Sequence, residues 1–458
     1  MVASILAYAS YVPAHRLGPD SGVRGNRAVA SFDENSTTMA VAAARALPAD
    51  QLDRVGSVWF ATTSPAYLDK TNASAIHAAL QLDPRVFASD LIGSGRSTVG
   101  SLHAASAHGG LVLAADVRVG KPGSSDEKLG GDGAAALLLG EGPGIAEILA
   151  TASATDELLD RWRVPTSLTG EQWEERFGFE RYVELVRATV DRVLEQSGVD
   201  AVDHVVLASS NSAVVKRAGT LVKGQVSTTT SPLGFSGAAD VLVALADVLD
   251  RAEPGQTVLV VSAVDGSDVW LLRTTDLLAS RRQPVPLVDQ LAGGTPVPYP
   301  TYLSWRGLLA REMPRRPEPD RPAGPPSLRG VGWKFGFAGA RCTECGFVHL
   351  PPVPVCRSCG ATQQMESVPV SRLRGRVATY TVDRLAYSPS PPVVDVVVDF
   401  DGGGRCAVEV ADADPATVEV GTEVEMTFRS LFVAGGVHNY FWKAKVLPAA
   451  ASDEGSES

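Results

Sequence analysis

Four cysteines in the last third of the chain have the spacing of a metal site. Cys342, Cys345, Cys356 and Cys359 form a C-x2-C-x10-C-x2-C pattern, and a glycine follows each pair. Each C-x2-C pair places two thiolates on one turn, and two such turns complete a tetrahedron around Zn2+. Four thiolate ligands leave no open position. We therefore expect a structural zinc ion, with rubredoxin-like iron as the alternative.

A second stretch, Ile92–Thr98, has the shape of a turn that presents a nucleophile. It follows the strand-like residues Val86–Leu91 and opens a helix of small residues. A strand that feeds a tight turn into a helix offers free N–H groups to a developing oxyanion. The turn contains Ser94 and Gly95 but no cysteine, and no cysteine precedes Cys342. A thiol nucleophile is thus excluded from the first 341 residues.

Alternating strand-like and helix-like stretches surround this turn over residues 1–280. Apolar runs such as Val205–Ala208 and Val258–Val261 indicate strands that are covered on both faces. A long amphipathic helix is predicted over residues 171–197. Because two halves of similar order follow one another, we predict an internally duplicated, layered α/β domain.

The remaining third divides by composition. Residues 281–335 are rich in proline, with 11 of the 30 prolines between positions 281 and 330, so we expect an extended connector tethered by its apolar residues. A zinc ribbon is predicted over 336–368. Short strands between glycine turns predict a small barrel of about five strands over 369–448. The acidic residues 449–458 are predicted to be disordered.

Composition limits the function classes. The formal net charge of −11 argues against a nucleic-acid-binding surface, which needs a basic footprint. No apolar run approaches the roughly 18 residues of a membrane span, and the N-terminus lacks the pattern of a secretory signal. The 45% of apolar residues is ordinary for a globular chain. We therefore expect a cytoplasmic protein.

Several stretches of the first domain resemble hydroxymethylglutaryl-CoA synthases. They are Ala28–Ala40, Ala61–Thr71, the GDGAAA turn Gly131–Ala136, Trp173–Gly178 and Asp265–Asp268. The resemblance implies a thiolase-like, duplicated, five-layered α/β fold over about residues 1–280. It also implies a homodimer that binds acyl-CoA thioesters.

The C-terminal part, about residues 330–446, resembles the zinc ribbon and OB-fold domain called DUF35. Members of that family are fused to thiolase-fold enzymes or pair with them as separate subunits. The resemblance implies a role in contacting CoA or a separate thiolase subunit.

Departures from the synthase pattern fall on the catalytic positions. The family cysteine aligns with Gly95, or with Ser94 after a shift of one residue. The family histidine aligns with Asn211 and the later asparagine with Phe235. The family glutamate would lie near Thr62 or Thr63. The acyl-enzyme chemistry of a synthase is therefore predicted to be absent.

The remaining candidates each have two interpretations. Ser94 contacts substrate or caps the helix, and Arg96 binds CoA or forms a salt bridge. Asn211 bonds a thioester oxygen or holds its own loop in an Asx turn. Tyr67 and Asp69 occupy the segment that lines the family's pocket, which makes them acid/base candidates.

Three functions follow from these observations. The first is an aldolase or retro-aldolase that acts on a β-hydroxyacyl-CoA or acyl-CoA without a covalent intermediate. The second is a non-catalytic subunit that docks a separate thiolase through its zinc ribbon and OB-fold. The third, which the missing cysteine disfavours, is a true hydroxymethylglutaryl-CoA synthase.

Overall fold

The computed structural model describes residues 4–228 and 233–448, so the predicted acidic tail at 449–458 lies outside the described residues. The chain forms two compact units, Met1–Ala310 and Arg311–Ser458. No helix in the described part of the chain is both long enough and apolar enough to span a membrane.

The first unit contains a large sheet with helices on its faces. Its strands are β1 (Ser4–Tyr11), β2 (His15–Leu17), β3 (Arg27–Val29), β4 (Ser57–Thr62), β5 (Phe87–Ile92), β6 (Gly110–Asp116), β7 (Gly133–Gly140), β8 (Ala146–Thr155), β9 (Arg161–Trp162), β10 (Glu171–Gln172), β11 (His204–Ser209), β12 (Gln225–Ser227), β13 (Thr257–Ala263), β14 (Gly266–Thr274) and β15 (Thr295–Pro296). Its helices are α1 (Ser36–Arg45), α2 (Ala49–Leu52), α3 (Ala73–Ala79), α4 (Ser97–His108), α5 (Ser125–Leu129), α6 (Glu175–Ser197), α7 (Ser212–Lys216), α8 (Ala218–Leu221), α9 (Asp240–Arg251), α10 (Leu287–Ala292) and α11 (Tyr299–Trp305).

The sheet shows the internal duplication that the sequence predicts. Its strand order is β12-β11-β13-β14-β8-β1-β7-β6-β4-β5. In the first half, β4 runs parallel to β5 and β6, and β7 runs antiparallel to β6 and β1. The second half repeats these directions. There β11 runs parallel to β12 and β13, and β14 runs antiparallel to β13 and β8. The halves join where β1 pairs with β8 at Ser4–Glu147 and Ile5–Ala146.

Helices cover both faces of the two half-sheets. α9 packs against β1 and β7 of the first half and against β11 and β13 of the second, so it lies between them. Buried residues of α4 and α9, such as Leu102 and Leu245, share one core with Leu137 and Leu272 from the strands. α1 packs on β6 and β7, and α6 packs on β8 and β14. The result is the layered α/β arrangement expected from continuous apolar strands.

The proline-rich stretch is more ordered than the sequence suggests. Residues 281–310 belong to the first unit and include α10 and α11. The prolines permit α11 because proline is compatible with the first turn of a helix. Tyr302 is buried, and Arg306 forms an ion pair with Asp132 of the GDGAAA turn. Arg306 also donates to the Ala30 carbonyl at 3.1 and 3.2 Å. This part of the stretch is therefore packed into the domain.

The second unit consists of a small ribbon and a barrel. Its elements are α12 (Gly324–Arg329), α13 (Val331–Lys334), β16 (Ala338–Cys342), β17 (Val348–His349), β18 (Met365–Pro369), β19 (Gly375–Asp383), β20 (Val393–Phe400), β21 (Arg405–Glu409), β22 (Glu423–Ala434) and β23 (Val437–Val446). The ribbon has the order β17-β16-β18 and the barrel β21-β20-β19-β22-β23. A bridge between Val410 and Ala444 brings the two edges of the barrel sheet together.

Candidate functional site

The four cysteines of the ribbon come together as a metal site. Their Sγ atoms all lie within 4.8 Å of one another, with 3.7 Å between Cys342 and Cys359 and 3.5 Å between Cys345 and Cys356. A tetrahedron with Zn–S bonds of about 2.3 Å requires S–S separations of about 3.8 Å, so the donor set fits zinc. The glycine after each pair has a positive φ, as the turn requires.

Cys356 receives additional hydrogen bonds. The Ser358 and Cys359 N–H groups donate to its Sγ at 3.4 and 3.5 Å, and His349 Nε2 lies 3.4 Å from the same sulfur. The Cys359 N–H is the main cause of a lowered pKa for the Cys356 thiol, with His349 adding to it. These contacts favour the thiolate, which is the form that binds a metal.

The turn before α4 has the geometry that the sequence predicts. The Gly93 N–H donates to the Thr62 carbonyl, and Gly93 has a φ of 133°. The Arg96 N–H donates to Ser94 Oγ at 3.2 Å, so the Ser94 side chain folds back on the turn and does not cap α4. Among the described residues, no hydrogen-bond partner is recorded for the Gly95 N–H. This N–H is the donor that an oxyanion could use.

Gly95 has space for a side chain. A Cβ added there would lie 3.4 Å from the Gly237 carbonyl oxygen and 3.6 Å from Val264 Cγ2, which are ordinary contacts. The turn therefore has room for a Cβ at position 95. Gly237 and Val264 both belong to the second half of the domain, so the turn is completed by residues that are far away in the sequence.

Arg96 is held inside the first unit. Its Nε donates to Asp268 Oδ2 at 2.8 Å, and its Nη2 lies 3.1 Å from Asp268 Oδ1. Its Nη1 donates to the Asp265 carbonyl at 2.8 Å, and its Nη2 also contacts the Ala154 carbonyl at 3.3 Å. Of the two interpretations that the sequence leaves open, the salt bridge is present here. Contact with CoA stays a prediction.

Asn211 holds the start of α7. Its Oδ1 accepts from the Ala213 and Val214 N–H groups, and its Nδ2 donates to the Glu175 carbonyl at 2.9 Å. This is the Asx-turn arrangement that the sequence offers as one alternative. The side chain is buried, and its contact with a thioester stays a prediction.

Tyr67 and Asp69 lie in the loop after β4. The Tyr67 N–H and carbonyl both bond to the Asn72 side chain, at 3.1 and 2.9 Å. The Tyr67 side chain is half-buried, and Asp69 is exposed. Their proposed acid/base role is not tested by these contacts.

A buried carboxylate lies next to the position of the family glutamate. Asp116, at the end of β6, accepts from Thr62 Oγ1 and Thr63 Oγ1, both at 2.8 Å. It also accepts from the Ala238 N–H at 2.7 Å, and it is fully buried. The sequence gives no local signal for this residue, because its partners come from two distant segments, residues 62–64 and Ala238. Asp116 fixes the end of β4 against the segment that contacts Gly95.

A pocket of about 230 Å3 opens at the end of β11. Ser209, Ser210, Phe235 and Asp240 line it, together with the ion pair of Asp126 and Arg161. None of these side chains is predicted from the sequence to be functional. Phe235 is only the position at which the similar synthases are expected to have an asparagine.

A second arginine, Arg118, lies close to the Asp126 carboxylate of this ion pair. Arg161 Nη2 lies 2.7 Å from Asp126 Oδ2, and Arg118 Nη2 lies 3.6 Å from Asp126 Oδ1. Burial alone would raise the pKa of Asp126, but the hydrogen bond from Arg161 and the charge of Arg118 hold this pKa below its ordinary value. The pocket wall thus carries an ionised carboxylate with two cations beside it.

Comparison with known families identifies the second unit. Residues 336–366 match the ChsH2 rubredoxin-like zinc ribbon domain, and residues 367–429 match the ChsH2 C-terminal OB-fold domain. These matches confirm the predicted zinc ribbon and OB-fold.

Similar curated proteins match about two thirds of the chain. Hydroxymethylglutaryl-CoA synthase from Methanothermobacter thermautotrophicus is 28% identical over 348 residues, which cover 67% of this chain and 99% of that protein. The enzyme of the same name from Aeropyrum pernix is 28% identical and matches 67% of this chain and 95% of its own length.

Solved structures share the fold. A hydroxymethylglutaryl-CoA synthase complexed with CoA superposes with a TM-score of 0.58 at 16% identity, covering 68% of this chain and 92% of that one. 3-Oxoacyl-(acyl carrier protein) synthase III from Pseudomonas aeruginosa gives 0.53 at 23% identity, covering 60% and 98%. The first unit therefore shares the fold of these synthases and is similar in sequence to hydroxymethylglutaryl-CoA synthases, and residues 336–429 match the ChsH2 zinc ribbon and OB-fold domains.

Proposed function

We propose that this protein binds acyl-CoA thioesters in the cytoplasm and makes or breaks a C–C bond by aldol chemistry, without an acyl-enzyme. The observation that carries the proposal is the turn before α4. Within the described part of the chain, no group accepts from the Gly95 N–H at this helix start, and glycine stands where the similar synthases are expected to have the residue that is acylated. An oxyanion donor without a nucleophile suits a reaction that passes through an enolate.

A CoA thioester is supported as the ligand by the relatives. One similar structure is described as a hydroxymethylglutaryl-CoA synthase with CoA, and another as MvaS in complex with 3-hydroxy-3-methylglutaryl coenzyme A. The chain contains no cysteine before Cys342, so the acyl-cysteine route of a true synthase has no residue to carry it.

The proposed cleavage balances without an added reagent. A base takes the proton from the β-hydroxyl group, and the electron pair of that O–H bond forms a carbonyl. The Cα–Cβ bond breaks, and its electrons move to the thioester, whose enolate oxygen the Gly95 N–H stabilises. A proton then returns to Cα, which releases an acyl-CoA and an aldehyde or ketone.

The direct test is cleavage of 3-hydroxyacyl-CoAs of several chain lengths, followed by chromatography and mass spectrometry. We expect a shorter acyl-CoA and a free carbonyl compound in equal amounts, with no change in the protein's mass. Failure of the full-length protein to cleave any of these thioesters, alone or with a thiolase added, would overturn the proposed reaction.

One observation favours a second candidate, a non-catalytic subunit that docks a thiolase through its zinc ribbon and OB-fold. Arg96 and Asn211, two of the predicted site residues, are both engaged in contacts that maintain the fold. Purification from the native host distinguishes the candidates. A subunit should come out with a thiolase, whereas an enzyme that works alone should be active by itself.

We also propose a homodimer formed through β5. This strand is the last in the sheet order, and its Phe87 and Ile92 are 56% and 41% exposed. An unpaired edge with apolar side chains favours association with another strand. Light scattering should give twice the chain mass, and Ile92→Arg should shift the protein toward the monomer. A wild-type monomer would contradict the proposal.

A further inference from the structure

Polar side chains from separate segments meet beside the hairpin that follows β13. They are Asp160, Tyr182, Ser210 and Asn211, together with the turn residue Asp265. The Tyr182 hydroxyl accepts from the Asp265 N–H at 3.3 Å, and the Ser210 side chain lies beside it. The Asn211 amide lies beside the Asp160 carboxyl.

Close packing against α6 fixes the Asp160 and Asn211 pair. A Cβ added to Gly178 would lie 3.1 Å from both Asn211 Nδ2 and Asp160 Oδ2. Such a contact is tighter than side chains normally allow, so only a glycine leaves this pair undisturbed. The position of the pair is therefore set by close packing.

This cluster is next to the turn before α4. Asp265 has a φ of 51°, and its carbonyl accepts from Arg96 Nη1 at 2.8 Å. The preceding residue, Val264, contacts the position of a Cβ on Gly95 at 3.6 Å. Ser210 also lines the pocket at the end of β11. The cluster thus connects the oxyanion donor of the turn with the pocket.

We propose that Asp160 is the proton-transfer residue of this site and that Asn211 is its positioning residue. The proposal rests on the proposed function. In the cleavage direction, the Asp160 carboxylate takes the β-hydroxyl proton as the Cα–Cβ bond breaks. The resulting carboxylic acid then gives that proton to Cα of the enolate held by the Gly95 N–H. Asn211 stands where the similar synthases are expected to have a histidine, and its amide orients the carboxylate.

The surroundings of Asp160 suit this role. Burial is the main cause of a raised pKa for this carboxyl, and the charge of Asp265 adds to it. The Asn211 hydrogen bond and the charge of Arg161 act in the opposite direction, and Tyr182 also faces the group from α6. A carboxyl whose pKa lies closer to neutrality can both accept and return a proton.

The test compares three variants of the full chain. Asp160→Asn keeps the shape and removes the base, and Asp160→Glu keeps the base. Asp156→Asn is the control, because it removes a partly exposed carboxylate of the same segment that is paired with Arg181. We expect Asp160→Asn to lower kcat about 100-fold or more, with KM for the 3-hydroxyacyl-CoA unchanged. Asp160→Glu should restore part of the rate, and Asp156→Asn should match the wild type.

A pH profile and a stability measurement complete the design. The wild-type kcat should rise with pH through a group that titrates above the ordinary aspartate range, and this limb should disappear in Asp160→Asn. Because the folded pKa is raised, ionisation of Asp160 costs stability as the pH rises past the unfolded-state value. Asp160→Asn should therefore unfold at a higher urea concentration than the wild type at neutral pH.

The outcomes separate this inference from the proposed function. If the wild type cleaves thioesters and Asp160→Asn cleaves them equally well, Asp160 is not the proton-transfer residue, although the aldol function stands. If Asp160→Asn loses activity and the rising pH limb remains, the inference is also overturned. A wild type that cleaves no thioester would remove both.

Discussion

The zinc ribbon and the turn before α4 are both recognised from a few residues, but they are built in opposite ways. In the ribbon, all four cysteines lie within 18 residues, and the backbone turns around them supply most of the remaining contacts. The turn before α4 depends on Gly237, Val264 and Asp268, which lie more than 100 residues away. The chemistry of the ribbon is therefore complete in its own sequence, whereas that of the turn depends on the whole domain.

This difference explains how the turn can hold its shape without a nucleophile. The geometry at Gly95 is held by contacts that do not involve a side chain at position 95. In the metal site, by contrast, the four thiolates are themselves the groups that would join the two turns around the ion. The following experiments test this contrast, beginning with the largest expected effect.

Removing one ligand should abolish metal binding. Cys342→Ser leaves three thiolates, and structural zinc sites in small domains contribute roughly 10–16 kcal/mol of apparent free energy. Elemental analysis should fall from about one zinc per chain to nearly none, with loss of the ribbon's folded NMR signals. Cys406→Ser is the matched control, since Cys406 lies in the barrel outside the cluster. Full zinc retention in Cys342→Ser would contradict the four-cysteine assignment.

Placing a thiol in the turn should create an acylation site. A Cβ fits at Gly95, and a helix start lowers the pKa of a cysteine thiol. Gly95→Cys incubated with acetyl-CoA should gain one acetyl group by intact-protein mass spectrometry, and hydroxylamine should remove it. The wild type and Gly95→Ala should gain none. If Gly95→Cys also stays unmodified, thioesters do not reach this turn.

Breaking the Arg96–Asp268 pair should destabilise the first unit. The Arg96 side chain is 20% exposed and that of Asp268 is 1% exposed, so Arg96→Met leaves a buried carboxylate without its partner. We expect a loss of about 3–5 kcal/mol in the free energy of unfolding by urea. Arg85→Met, at the exposed pair with Asp83, should give no measurable change. Unchanged stability together with weaker CoA binding would instead support the contact with CoA that the sequence predicts.

Removing the Ser94 hydroxyl should have the smallest effect. Its Oγ accepts from the Arg96 N–H at 3.2 Å, a single hydrogen bond on a partly exposed turn. Ser94→Ala should lower the free energy of unfolding by about 0.5–1.5 kcal/mol. Ser94→Thr, which keeps the hydroxyl, is the control. A loss above 3 kcal/mol in Ser94→Ala would show that the turn depends on its own side chains.

The sequence predicts the architecture better than the site. Alternation of apolar runs is a local signal, and it correctly indicates the duplicated sheet and the strands of the barrel. The four cysteines are also local. The pocket wall at Asp126 and Arg161 could not be predicted in this way, because the contact joins positions 35 residues apart. Nor could the cluster around Asp160, whose members come from four segments.

The same limit applies to the proline-rich stretch. Proline content indicates irregular backbone, but it carries no information about where an arginine in that stretch will pair. Arg306 pairs with Asp132, which lies 174 residues away in the sequence, and only the folded domain brings the two side chains together.

That pairing has a practical consequence for anyone who divides this protein. The side chains of Arg306 and Asp132 are 4% and 1% exposed, so the two charges are buried together. A fragment that ends at residue 280 would keep Asp132 and lose its counter-ion, and an unpaired buried charge is strongly destabilising. The shortest independently folding fragment of the first unit should extend past Arg306. In limited proteolysis, the first cleavage between the two units should correspondingly fall after Arg306.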